Sequence, residues 1–125
     1  MKTLTLEQLL ELHVLVIAQS GGAEGLRDLG RLEAAVATQT QSVFGEELYM
    51  TPFEKAAALL RGIIGDHAFV DGNKRTGMLT GLTFLEVNDI AFKAKTGELE
   101  DFAVQVATEH LSVEQIAAWL EVHCA

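Results

Sequence analysis

Thr51-Pro-Phe-Glu54 is the least ambiguous stretch of this chain. It combines a Thr at the N-cap, a Pro at the first helical position and a Glu three residues after the cap. The residues that follow, Lys55-Ala-Ala-Ala-Leu-Leu-Arg-Gly-Ile-Ile64, are small and apolar around most of a helix. A helix with so little polar surface must be enclosed by others. The chain therefore folds around it, and Gly65 is placed to end it.

Further helices are marked in the same way. Thr5-Leu-Glu-Gln8 has the capping-box pattern, and Leu6, Leu9, Leu10, His13 and Ile17 follow at helical spacing up to Gly21-Gly22. His13 lies on that apolar stripe, and its expected state is a buried or half-buried ring hydrogen-bonded to a neighbour, in preference to a catalytic role. Gly25-Leu-Arg-Asp-Leu-Gly-Arg31 reads as a loop leading into Leu32–Ala37. Arg27 and Asp28 could bind a substrate there, but an ion pair or an Asp28 helix cap explains them more simply. Gln39 to Met50 carries no clear period and reads as surface, with Glu46-Glu47 beside aromatic residues.

After residue 65, Met78, Leu79, Leu82 and Leu85 return at helical spacing up to Asn88-Asp89. Ile90–Lys93 alternates as a short extended piece. Thr96-Gly-Glu-Leu99 reopens a helix to about Thr108, and the capping box Ser112-Val-Glu-Gln115 starts a last one ending near His123. His110 and His123 read as surface or packing histidines. The expectation is one domain over residues 1–125, an all-α bundle of about six helices with 52–64 and 74–87 at its centre.

Composition narrows the function. Eighteen acidic against nine basic residues give a net charge of -9. That disfavours direct binding to nucleic acid, which relies on Lys and Arg to neutralise phosphates. The single cysteine, Cys124, cannot form an internal disulfide. Glu7, Gln8, Glu11 and His13 interrupt the apolar start, so it reads as an amphipathic helix and not as a signal peptide. No apolar run approaches bilayer-spanning length. A cytoplasmic protein is expected.

The chemistry concentrates in His67-Ala-Phe-Val-Asp-Gly-Asn-Lys-Arg-Thr-Gly77, between the two central helices. Asn73 can cap a helix beginning at Lys74, whose N-terminus offers open N–H groups and partial positive charge to an anion. Gly72 permits a tight turn and close approach of a ligand. Lys74 and Arg75 oppose the helix dipole in its first turn, a placement that makes sense if a polyphosphate binds there. Asp71 is a hard-oxygen ligand of the kind Mg²⁺ uses beside phosphates. His67 can take a proton from a hydroxyl near neutral pH. Phe69 is expected to point inward and anchor the loop. Singly, each has a mundane explanation: a capping histidine, an Asp-Gly turn, a solvated pair of cations. Together they are the parts of a phosphoryl- or nucleotidyl-transfer site. Phosphate-loop, dinucleotide, nucleophile-elbow and zinc-protease motifs are absent from the sequence.

His67-Ala-Phe-Val-Asp-Gly-Asn-Lys-Arg75 resembles the Fic/Doc signature, His-x-Phe-x-Asp/Glu-x-Asn-x-Arg, and most closely that of the Doc ("death on curing") branch. Gly25–Ala35, Phe53–Leu60 and Thr83–Asn88 are similar to segments of Doc-type proteins as well. The resemblance implies a toxin of a toxin–antitoxin pair that stops growth by phosphorylating a threonine of elongation factor Tu. It implies His67 as the base, Asp71 as the Mg²⁺ ligand, and Gly72, Asn73, Lys74 and Arg75 as the phosphate cradle for ATP. Fic enzymes that transfer AMP usually carry a second Gly where Lys74 stands here, so Lys74 favours transfer of the terminal phosphate. Ala68 departs from the Pro of many Fic proteins. No Ser/Thr-x-x-x-Glu-Gly/Asn inhibitory helix is visible, which implies inhibition by a separate cognate antitoxin with a disordered tail. The alternatives are an adenylyl- or nucleotidyltransferase acting on a protein hydroxyl, and a non-catalytic partner-binding domain that retains the fold.

Overall fold

A computed structural model describes residues 1–124, with Thr96 described by its backbone alone. Among the described residues there are six α-helices: α1 (Leu6–Ser20), α2 (Leu29–Ala37), α3 (Pro52–Asp66), α4 (Asn73–Val87), α5 (Thr96–Glu109) and α6 (Val113–Val122). A 3-10 turn at Thr38–Thr40 leads into a two-stranded antiparallel hairpin, β1 (Ser42–Val43) with β2 (Glu46–Glu47). The fold is the expected helical bundle, with a hairpin in the stretch that had no readable period.

Three helix starts form as the sequence dictates. Thr5 and Ser112 each close a complete capping box, and the Thr51 hydroxyl accepts the Glu54 N–H at 3.1 Å with Pro52 next in line. Asp28 caps α2 by accepting the Arg31 N–H, which moves the start of that helix to Leu29, ahead of the expected Leu32. Arg31 also pairs with the Asp28 carboxylate, so the simpler explanation of Asp28 holds.

α3 is the enclosed helix. Lys55 to Leu60, Ile63 and Ile64 are all buried. α4 lies close along it because two of its residues lack a Cβ. A Cβ on Gly77 would fall 2.6 Å from Ile64 Cγ1, and one on Gly81 would fall 3.4 Å from the Ala56 carbonyl oxygen. Side chains at these positions would push the helices apart and move the loop between them. Leu9 of α1, Leu32 of α2, Phe84 and Leu85 of α4, and Ile116 and Leu120 of α6 complete the core around α3.

α3 does not end at Gly65. It continues to Asp66, and His67 takes the left-handed conformation at its C-cap, with φ 50 and ψ 56. The glycine signal was the wrong one because the reversal is made two residues later by a residue with a Cβ. At the C-terminus, His123 stacks on Trp119 at 3.9 Å and approaches Glu98 Oε2 at 3.1 Å. The Lys95 backbone N–H and His123 together hold the Glu98 carboxyl below its ordinary range. Ile90–Lys93 contributes a single bridge, Phe92 with Cys124. His123 is thus the packing residue expected, and His110 is the left-handed C-cap of α5.

Candidate active site

The loop from α3 to α4 is held by the Gly21–Asp28 segment, by α1 and by the first residue of α4. The Ala68 carbonyl accepts N–H groups from Arg27 and Asp28 at 2.8 and 3.0 Å, and the Val70 N–H donates to the Gly25 carbonyl at 3.0 Å. Leu26 and Phe69 form an antiparallel bridge. The Gly21–Asp28 segment is therefore the other wall of the motif loop. Buried Phe69 anchors the loop, and its backbone is held from the other side by Asn73. Asn73 Nδ2 donates to the Phe69 carbonyl, and Asn73 Oδ1 accepts the Phe69 N–H, each at 3.0 Å.

That use of Asn73 corrects the expected cap. α4 begins at Asn73 itself, Gly72 is its N-cap at φ 75 and ψ 18, and no side chain bonds the helix start. Both Oδ1 and Nδ2 of the carboxamide turn back to the Phe69 backbone, away from the helix start. The consequence for the site is favourable. The first N–H groups of α4 have no side-chain cap, which leaves this helix end open to an anion.

Asp71 is exposed at the turn, and its carboxylate is fixed. Oδ1 accepts the Gly72 N–H at 2.9 Å and Oδ2 accepts the Ala23 N–H at 3.2 Å. A Cβ on Gly22 would lie 2.6 Å from Oδ2, so the approach of this segment requires glycine. His13 of α1 reaches the same residue: its Nε2 lies 2.8 Å from the Asp71 carbonyl oxygen. The expectation of a buried, hydrogen-bonded His13 is met, but its partner is in the motif.

His67, Asp71, Gly72, Asn73, Lys74 and Arg75 all line one cavity of about 360 Å³, closed on the α1 side by Val16 and Ser20. The structure brings these six candidate site residues of the motif to that one space, while Phe69 points into the core as expected. Among the described residues the ion pairs are Asp28–Arg31, Glu47–Lys55 and Glu98–His123, so Lys74 and Arg75 sit on the cavity with no carboxylate partner. A second cavity of about 500 Å³ adjoins the first across Lys74 and Arg75. It is a largely apolar groove between α1, α4 and α5, floored by Met78, Leu79, Leu82, Leu99 and Ala103.

Sequence reasoning missed Gly22, Ala23 and the bracing use of Asn73. Only the run of glycines at 21, 22 and 25 hinted at a close approach, and nothing in it named Asp71 as the neighbour. Arg27 enters the site through its backbone N–H.

Residues 3–85 match the Fic/DOC family, and the chain belongs to it. Two relatives refine the placement to the Doc branch. The chain is 41% identical to the protein named Toxin Doc of Mycolicibacterium smegmatis over 102 residues, 80% of this chain and 78% of that one. It is 35% identical to the protein named Protein kinase doc of Escherichia phage P1 over 117 residues, 94% of this chain and 91% of that one.

Proposed function

We propose that this protein is a Doc-type toxin that transfers the γ-phosphate of ATP to a Thr or Ser hydroxyl of elongation factor Tu. One observation carries the phosphate chemistry. The exposed imidazole, the fixed carboxylate, the open N-terminus of α4 and two cations with no carboxylate partner among the described residues share a single cavity. The Doc relatives support a kinase in particular, since one is named as such. The choice of elongation factor Tu rests on the resemblance alone.

In this reading the triphosphate lies on the first N–H groups of α4, with Lys74 and Arg75 taking its charge. Asp71 is the residue suited to Mg²⁺. No three acidic, His or Cys side chains converge among the described residues, and a cation that keeps phosphate oxygens and water as ligands needs only one or two carboxylates. When bound, Mg²⁺ would neutralise phosphate charge. His67 accepts the proton of the target hydroxyl as that oxygen attacks the γ-phosphorus, and the bond to the β–γ bridging oxygen breaks to release ADP. Asn73 acts by holding the loop.

The partner proposed is a cognate antitoxin whose disordered tail folds into the apolar groove beside Lys74 and Arg75. A neighbouring reading frame with a DNA-binding start and a disordered tail would support it.

The deciding experiment supplies ATP labelled at the α- or the γ-phosphate, with purified elongation factor Tu and with a bacterial extract. The expected result is γ-label in elongation factor Tu, lost in His67→Ala. Label entering only from the α-phosphate would replace the kinase reading with the adenylyltransferase, consistent with the same site. No Mg-ATP binding and no growth arrest on expression would leave a non-catalytic binding domain.

A further inference from the structure

We infer that His13, on α1 and far from the motif in sequence, is a positioning residue for Asp71. The inference rests on the reading of Asp71 as the metal ligand.

His13 is 5% exposed, and both faces of its role are visible. A carbonyl oxygen only accepts, so the contact of Nε2 with the Asp71 oxygen at 2.8 Å requires the hydrogen on Nε2. The ring lies on Phe69 at 3.8 Å with an angle of 4° between planes, which fixes its orientation. Phe69 is in turn gripped by Asn73. The imidazole thus ties the peptide plane of Asp71 to α1 through one directional bond and one stacked contact. The packing leaves little slack beyond the next residue, because a Cβ on Gly72 would meet Ile17 Cδ1 at 3.1 Å and lie 3.9 Å from His13 Nε2.

A histidine needed only to fill the core would be satisfied by any acceptor. This one bonds the carbonyl of the residue whose carboxylate direction matters, and that carboxylate takes its remaining contacts from Gly72 and Ala23. The Gly72 N–H belongs to the same peptide group as that carbonyl, so with the plane released the contact that directs Oδ1 loosens and the carboxylate loses its fixed direction. The expected loss is in metal affinity, where removal of an outer partner commonly costs about 10–100-fold.

Two variants separate the bond from the ring. His13→Phe keeps the volume and the stack and removes the donor. His13→Gln returns an N–H donor at similar reach without the ring. His13→Phe is expected to raise the Mg²⁺ concentration for half-maximal transfer by about 10-fold, more than it lowers kcat. Amide exchange over residues 69–73 should speed up, with the melting temperature lowered by no more than about 5 °C. His13→Gln should restore most of the Mg²⁺ dependence. An unchanged Mg²⁺ requirement in His13→Phe, or equal losses in both variants that follow melting temperature, would overturn the inference. Asp71→Ala is the control for the underlying reading. If it leaves the Mg²⁺ requirement unchanged while His13→Phe still speeds exchange at 69–73, the metal role of Asp71 falls and the tie from His13 stands.

Discussion

The loop between α3 and α4 and the hairpin between α2 and α3 both turn through a non-glycine residue in the left-handed region, His67 at φ 50 and Phe44 at φ 52. Each conformation costs about 1–2 kcal/mol for a residue with a Cβ. The two are held very differently. The motif loop is bonded by Arg27, Asp28 and Gly25 on one side, Ala23 and His13 on another, and Asn73 from within. The hairpin has its own short ladder, one Leu48 N–H to the Gln41 carbonyl, and one buried lysine. Lys55 Nζ donates to the Gln39 carbonyl at 2.6 Å and to Glu47 Oε1 at 3.0 Å. Its tip stands in solvent, with Phe44 102% exposed.

The difference shows what a built site requires. Strain at His67 persists because several elements over-determine the loop, as is usual where side-chain direction has a use. The hairpin carries the same strain with nothing set around its tip.

The largest expected effect is on chemistry. His67→Asn tolerates the left-handed conformation, so the loop should stay folded. Phosphate transfer should fall at least about 100-fold through loss of the base, measured as initial rate with labelled ATP. Asn73→Ala comes next. It removes two bonds to the buried Phe69 backbone and should cost about 2–3 kcal/mol in denaturant unfolding. It should also weaken Mg-ATP binding, which a merely local defect would not do.

Lys55→Met tests the lysine that ties the hairpin to α3. It leaves the Gln39 carbonyl without its lysine and should destabilise by about 1–2 kcal/mol, with faster amide exchange confined to residues 39–48. Mg-ATP affinity should be unaffected, and a loss there would break the contrast between the two segments. The smallest effect belongs to Phe44→Ser. A fully exposed ring off the core should change stability within about 0.5 kcal/mol, read by thermal unfolding.

What was legible in the sequence follows from how far each cause reaches. Thr5, Thr51 and Ser112 act on N–H groups three residues away, so their helices could be placed from order alone. The motif was legible because its functional groups are contiguous, and one turn of chain brings them to one cavity. Asn73 was misread because its local option, capping α4, competes with a backward one to Phe69, and packing selected the second. Gly65 was misread because helix ends depend on what the following loop must reach. His13 and Ala23 act across the fold on Asp71, and the hairpin depends on Lys55 closing onto Glu47. No local spacing encodes those partners.

The central claim is that the phosphates of ATP sit on the start of α4 beside His67. Backbone amide NMR with Mg-ATP tests it most directly. The largest shifts should fall at Gly72, Asn73, Lys74 and Arg75, weaken in Arg75→Ala, and leave residues 42–47 unmoved. Saturable shifts centred elsewhere, with the Gly72–Arg75 amides unperturbed, would contradict it.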